Sequence, residues 1–221
     1  MDFVFMLTRS DQTVTDCLEV LEDILPIGLT HIGFKDVGVE PDVLAELARR
    51  IKAAGATSYM EVVSTSREAC LRSARVARDI AIDRLLGGTQ VEDVLAILAG
   101  SAVRYLPFPG RPFEHPTKLA GSPAQVEDDC RRFQTMGCAG VDLLAYRATE
   151  ADPLDLVRAA RRGTDGTLLV AGSVHTPQQI RELAAAGADA FTIGSALFDG
   201  SFAPRLGSLR SQLAAVLDAC S

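Results

Sequence analysis

The chain of 221 residues has no Trp, only three His, and an aromatic content of 5%. His31, His115 and His175 lie far apart, and none is paired with another at ligand spacing, so a built-in zinc site is not expected. The five cysteines (Cys17, Cys70, Cys130, Cys138 and Cys220) are an odd, scattered set without a CxxC pair. That pattern excludes a disulfide framework and leaves reduced structural thiols. Long apolar runs are missing as well: no stretch approaches the roughly 18 residues of a membrane span. The opening MDFVFMLTRSDQ has neither a basic flank nor enough apolar length for a secretory signal. Positive charge is in deficit, with 22 Lys and Arg against 29 Asp and Glu and a net charge of −7. Such a molecule repels nucleic acid and anionic membranes, so any anion it binds must meet a local positive site. These absences predict a cytoplasmic protein with neither nucleic acid nor membrane as a partner.

What is present is regular. Short β-branched and apolar runs alternate with amphipathic stretches of helix length along the whole chain. The strand candidates are Phe3 to Thr8, His31 to Lys35, Ser58 to Val63, Ile80 to Leu86, Val103 to Pro107, Val141 to Tyr146, Leu168 to Ala171 and Ala190 to Gly194. Between them, PDVLAELARRIKAA (41–54) sets Val43, Leu44, Leu47 and Ile51 on one helical stripe. The helix over 177–186 has Thr176 as its expected N-cap, Pro177 at its first position and Gly187 at its end. Eight strands alternating with helices predict an α/β protein, a single (β/α)₈ TIM barrel over residues 1–221. An open doubly wound sheet is the rival, but the first strand-to-helix turn, MLTRSDQT, lacks its GxGxxG fingerprint. The spacing of the units breaks only after strand five, where Phe108 to Gly121 adds a Pro/Gly-rich loop on the face that carries catalysis in such barrels. A lid or pocket wall is the expectation there.

Strands seven and eight both end in Gly-Ser, at Gly172-Ser173 and Gly194-Ser195. Gly lets backbone N–H groups approach a phosphate closely, Ser adds a hydroxyl, and a short helix beginning after Gly194 would complete the grip. One such turn is weak evidence, since it also serves as a tight entry to a helix; two on the last two strands are more specific. The stretch AGSVHTPQQIRELAAAGADAFTIGSALF (171–198) resembles the end of the ribulose-phosphate-binding barrel superfamily: a strand-seven Gly turn, a helix, GAD, and a strand-eight Gly-Ser turn. The resemblance implies a phosphate at Gly172, Ser173, Gly194 and Ser195. It names no reaction, because that group holds isomerases, epimerases, decarboxylases and synthases. The Asp-x-Lys-x-x-Asp signature of its orotidine-phosphate decarboxylase branch is absent from strand three, which reads SYMEVVST.

The strand ends supply the candidates for chemistry. Lys35 closes strand two and suits an electrophile, a proton donor or a Schiff-base amine; its bland role is an ion pair. Glu61 lies among apolar neighbours on strand three and is a candidate general base, or a carboxylate that merely holds a cation. Asp83, in IAIDRLLGG, is expected to face the lumen in preference to Arg84, with a polar bottom-layer residue as the alternative. Arg147 and His175 are candidate substrate contacts; Arg9 and His115 lie on the same face with solvent as their expected partner. No cofactor is evident, and a divalent ion held by carboxylates and water stays open. The pattern favours a lyase, aldolase or decarboxylase in type, acting on a small phosphorylated carbonyl metabolite through an enolate or Schiff base. The alternatives are a sugar-phosphate isomerase or epimerase, and a phosphate-binding barrel without catalysis. A homo-oligomer is compatible with all three.

Overall fold

The computed structural model describes residues 1–64 and 66–220. Eight parallel strands form the barrel: β1 (Asp2–Met6), β2 (His31–Lys35), β3 (Thr57–Val62), β4 (Arg84–Gly87), β5 (Arg104–Leu106), β6 (Gly140–Leu143), β7 (Thr167–Val170) and β8 (Ala190–Ile193). Ladders run in the order β6-β7-β8-β1-β2-β3-β4-β5, so chain order and spatial order coincide around the ring. The seam between β5 and β6 is bridged by two backbone hydrogen bonds, from Ala139 N–H to the Tyr105 carbonyl (2.9 Å) and from Asp142 N–H to the Pro107 carbonyl (3.0 Å). This is the predicted (β/α)₈ barrel, nearly closed.

The helices follow the local signals in the sequence. They are α1 (Cys17–Ile24), α2 (Pro41–Ala53), α3 (Arg67–Asp79), α4 (Val91–Leu98), α5 (Pro123–Thr135), α6 (Pro153–Gly163), α7 (Pro177–Ala186), the short α8 (Ser195–Phe198) and α9 (Leu209–Cys220). Four of them start on Pro, whose missing N–H costs nothing at a helix start. Thr176 and Gln179 form a capping box at the start of α7, and Gly187, at φ +97°, turns the chain out of it. On α2, Leu44, Leu47 and Ile51 are buried against the barrel, each contributing roughly 1.5–3 kcal/mol by leaving water. The strands are buried on both faces, which explains why β1 reads as a continuous apolar run.

Two hairpins interrupt the pattern. After β1, Thr8–Arg9 pairs antiparallel with Gln12–Thr13, and Ser10 and Asp11 at its tip take positive φ values of 51° and 60°. Such a two-residue turn normally advertises itself as Asn-Gly or Asp-Gly, so the sequence SDQT conceals it. After β5, Arg111–Phe113 pairs with Lys118–Ala120, and the loop expected as a lid is a hairpin packed beside the loop that follows β6. Its Leu119 carbonyl accepts the N–H of Thr149 at 2.9 Å.

Candidate active site

A cavity of about 330 Å³ opens at the C-terminal ends of the strands, lined by Lys35 and Glu61 on one side and by both Gly-Ser turns on the other. Lys35 and Glu61 are register partners on β2 and β3, so both side chains enter the lumen at one level. Lys35 Nζ sits 3.1 Å from Glu61 Oε1 and 2.8 Å from Asp11 Oδ1. The Asp11 carboxylate is delivered by the tip of the first hairpin, and Arg147 grips it with two nitrogens, Nη1 to Oδ2 and Nη2 to Oδ1, each at 3.0 Å. Arg147 Nη1 also donates to the Thr117 carbonyl of the second hairpin at 3.3 Å. The second hairpin thus steadies Arg147 without lining the cavity itself. The end of β2 is fixed from the first hairpin: Thr13 Oγ1 donates to the Lys35 carbonyl (2.8 Å) and accepts the Lys35 N–H (2.9 Å).

These contacts set the charge states. Burial works against a charged Lys35, but Glu61 and Asp11 outweigh it and hold the ammonium above the usual lysine range. Burial likewise disfavours an ionised Asp11, yet the hydrogen bond from Arg147 and the charge of Lys35 keep its carboxyl well below the usual range. Asp142, on β6, behaves oppositely. Its side chain is 0% exposed, and neither carboxyl oxygen has a hydrogen-bond partner among the described residues. Burial first, then the neighbouring charge of Glu61, push its pKa well above the ordinary carboxylate value, while Lys35 and Arg147 offset only part of that. The cavity is therefore lined by two cations, Lys35 and Arg147, and two acids, Asp11 and Glu61, while Asp142 is buried outside that lining and resists ionisation.

The two turns have different reasons for their glycines. Gly172 and Ser173 both take left-handed φ values, 78° and 61°. A Cβ on Gly172 would lie 2.5 Å from Arg147 Nε, so this glycine lets the guanidinium pass close to the turn. Among the described residues, no protein acceptor takes the N–H of Ser173 or Val174, while the Ser173 carbonyl faces His175 Nδ1 at 2.8 Å. At Gly194 a Cβ would meet Thr8 Oγ1 at 2.5 Å and the Thr8 carbonyl oxygen at 2.7 Å. That contact is with the start of the first hairpin, so Gly194 serves packing as well as any ligand. Ser195 opens α8, and its Oγ accepts the N–H of Ser10 at 3.2 Å.

Lys35, Glu61, Arg147, His175, Gly172, Ser173, Gly194 and Ser195 are brought together around one cavity. Asp83 is not. β4 begins at Arg84, and Asp83 sits just before it, at the far end of the barrel, where its Oδ2 accepts the N–H (2.8 Å) and the hydroxyl (2.6 Å) of Ser58. The expected strand from Ile80 begins late because Ile80 still caps α3 and Ala81 turns at φ 53°. Arg84 takes the inward place instead, its guanidinium 6.0 Å from the centre of the Tyr59 ring. Arg9 pairs with Asp199 at 2.6 Å. His115 lies in the second hairpin and does not line the cavity. Two groups escaped the sequence reading: Asp11, hidden in an apparent loop, and Asp142, whose signal was a lone acid inside the apolar run GVDLLAY.

No family model and no curated protein matches the chain. Solved structures do. A mutant tryptophan synthase alpha-subunit from Pyrococcus furiosus matches with a TM-score of 0.69 and 14% identity, covering 98% of each chain. The Amycolatopsis orientalis BexX/CysO complex matches with a TM-score of 0.64 and 19% identity over 100% of this chain and 88% of that one. A structure from Aquifex aeolicus VF5 gives 0.70 and 14%, covering 99% and 93%. What they share with this chain is the fold. At such identities the chemistry has to be argued from the cavity itself.

Proposed function

We propose that the chain is an enzyme of the lyase type that acts on a small phosphorylated carbonyl compound, making or breaking the bond beside the carbonyl through an enolate. The observation that carries this reading is the buried Lys35 ammonium, flanked by Glu61, facing two Gly-Ser turns across one cavity. The phosphate would rest on Gly172-Ser173 and Gly194-Ser195, as the resemblance of residues 171–198 also suggests. The carbonyl oxygen would then point to Lys35, and Glu61 would take the proton, or face the carbon, at the adjacent position. Negative charge developing on that oxygen meets a buried cation already in place. A Schiff base would need a neutral amine, and the carboxylates around Lys35 oppose that. The same pair, Lys35 and Glu61, allows a second reading, an isomerase, in which Glu61 returns the proton it took to the neighbouring carbon while Lys35 holds the oxygen.

The test is incubation of the protein with a panel of triose, tetrose and pentose phosphates and of phosphorylated hydroxy and keto acids in D₂O, followed by NMR. We expect deuterium to enter beside the carbonyl of at least one compound, and Glu61→Gln to abolish it. New carbon skeletons would support the lyase, and an unchanged skeleton with a moved carbonyl or an inverted centre the isomerase. Absence of exchange and turnover across the panel would reject the reading. Borohydride reduction that fixes substrate mass on Lys35 would replace the enolate by a Schiff base.

A further inference from the structure

We propose that Arg147 and Lys35 form a second anion subsite, which takes a carboxylate of the ligand, and that Asp11 is the resident carboxylate the ligand replaces. The inference rests on the phosphate reading of the Gly-Ser turns and narrows the substrate to phosphorylated compounds that also carry a carboxylate, such as phosphorylated hydroxy or keto acids. A guanidinium holding both oxygens of one carboxylate at 3.0 Å, with an ammonium on the same group at 2.8 Å, is the arrangement by which proteins bind free carboxylates.

Asp11 reaches that place from a two-residue tip whose flank is held by the exposed pair of Arg9 and Asp199 at 2.6 Å. Ser10 and Asp11 both sit in left-handed backbone, a conformation that ordinary side chains adopt at a cost. The other tether of the tip is the Ser10 N–H on Ser195 Oγ, and that hydroxyl belongs to the proposed phosphate turn. The contacts of Ser10 and Asp11 themselves are therefore with groups that the ligand itself would use. The base of the hairpin is held independently, by Thr13 to Lys35 and by the Thr13 N–H to the Val37 carbonyl (2.9 Å), so the tip can leave without unravelling it. Charge leads to the same conclusion. A phosphate entering the cavity beside Asp11 adds negative charge to a mouth already balanced at two cations and two carboxylates. Exchanging Asp11 for a ligand carboxylate keeps Lys35 and Arg147 paired.

Ethyl phosphate, phosphoglycolate and 3-phosphoglycerate should be titrated calorimetrically into the full chain and into Asp11→Asn and Asp11→Gly. Asn and Gly both accept left-handed backbone, so the hairpin is retained. Removing the resident competitor should tighten at least one of the two carboxylate-bearing ligands by about tenfold, while ethyl phosphate changes less than about threefold. In the unsubstituted protein, amide exchange at residues 9–12 should rise more with the favoured carboxylate ligand than with ethyl phosphate. Carboxylate ligands that bind no better than ethyl phosphate in all three proteins, with the tip equally protected, would overturn the inference and leave the phosphate grip standing. Weaker carboxylate binding in both variants would overturn it too, making Asp11 a contributor to binding. Failure of ethyl phosphate to bind at all would remove the phosphate grip, and this inference with it.

Discussion

Replacing Asp142 by Asn should change how the stability of the fold responds to pH. Asp142 is fully buried, its two oxygens have no hydrogen-bond partner among the described residues, and burial followed by the charge of Glu61 raises its pKa in the folded chain. In the unfolded chain an aspartate releases its proton near pH ~3.9. Above that pH, and up to the raised folded value, the unfolded state has lost a proton that the folded state still holds, and the equilibrium tilts toward unfolding. Each pH unit in this window costs the native state about 1.4 kcal/mol. Asn does not titrate, so the variant escapes this slope. Its amide brings a separate, pH-independent cost of ~1–3 kcal/mol if its donors stay unpaired. One measurement at one pH therefore decides nothing; the slope does. Urea unfolding of both proteins, from about pH 4.5 upward, should show the variant gaining on the parent by up to about 1.4 kcal/mol per pH unit, until Asp142 ionises in the folded parent as well. In thermal melts that is about 3–6 °C per unit for a chain of this size. Lys35, Glu61 and Arg147 are the charged groups that act on Asp142, and all three remain in both proteins. Stability curves that run parallel would refute the argument, because Asp142 would then ionise as it does in the unfolded chain.

The contacts of Lys35 predict that Lys35→Met removes turnover and also lowers stability by ~3–5 kcal/mol, since Glu61 is left buried without its cation and Asp11 keeps only Arg147. A melting temperature equal to that of the parent would mean that these pairs contribute only to chemistry. Gly194→Ala should weaken phosphate binding and destabilise the fold together, by ~1–3 kcal/mol, because the new methyl group meets Thr8 at 2.5 Å. Weakened ethyl phosphate binding with unchanged thermal stability would restore a glycine that serves the ligand alone.

Much of the barrel was readable along the chain because its signals are local. Alternating apolar runs, Pro41 and Pro177 at helix starts, the Thr176 cap and the Gly187 stop are decided within a few residues, and each lies where the pattern put it. Where local signals compete, the boundaries moved: Ile80 to Asp83 has strand-like composition but ends α3 and turns, which carried Asp83 to the opposite end of the barrel from the cavity. The site was legible to the extent that the fold rule placing chemistry at strand C-termini applies, and that rule found Lys35, Glu61 and the two Gly-Ser turns.

The partners of those residues were not legible. Asp11 and Arg147 are separated by 136 positions, and no periodicity links them; they meet because β1 and the loop after β6 open on one mouth. The same holds for Gly194, which looks like a ligand glycine in the sequence and is also a packing glycine once Thr8 is seen beside it. Asp142 needs the closed ring to become unusual, since only there does an acid on β6 lose both water and partners. Residue types and their order along the chain determined the barrel and the face on which its cavity opens. Only tertiary structure decided which charges pair and which acid keeps its proton, because those depend on distances and burial between elements that the chain order holds apart.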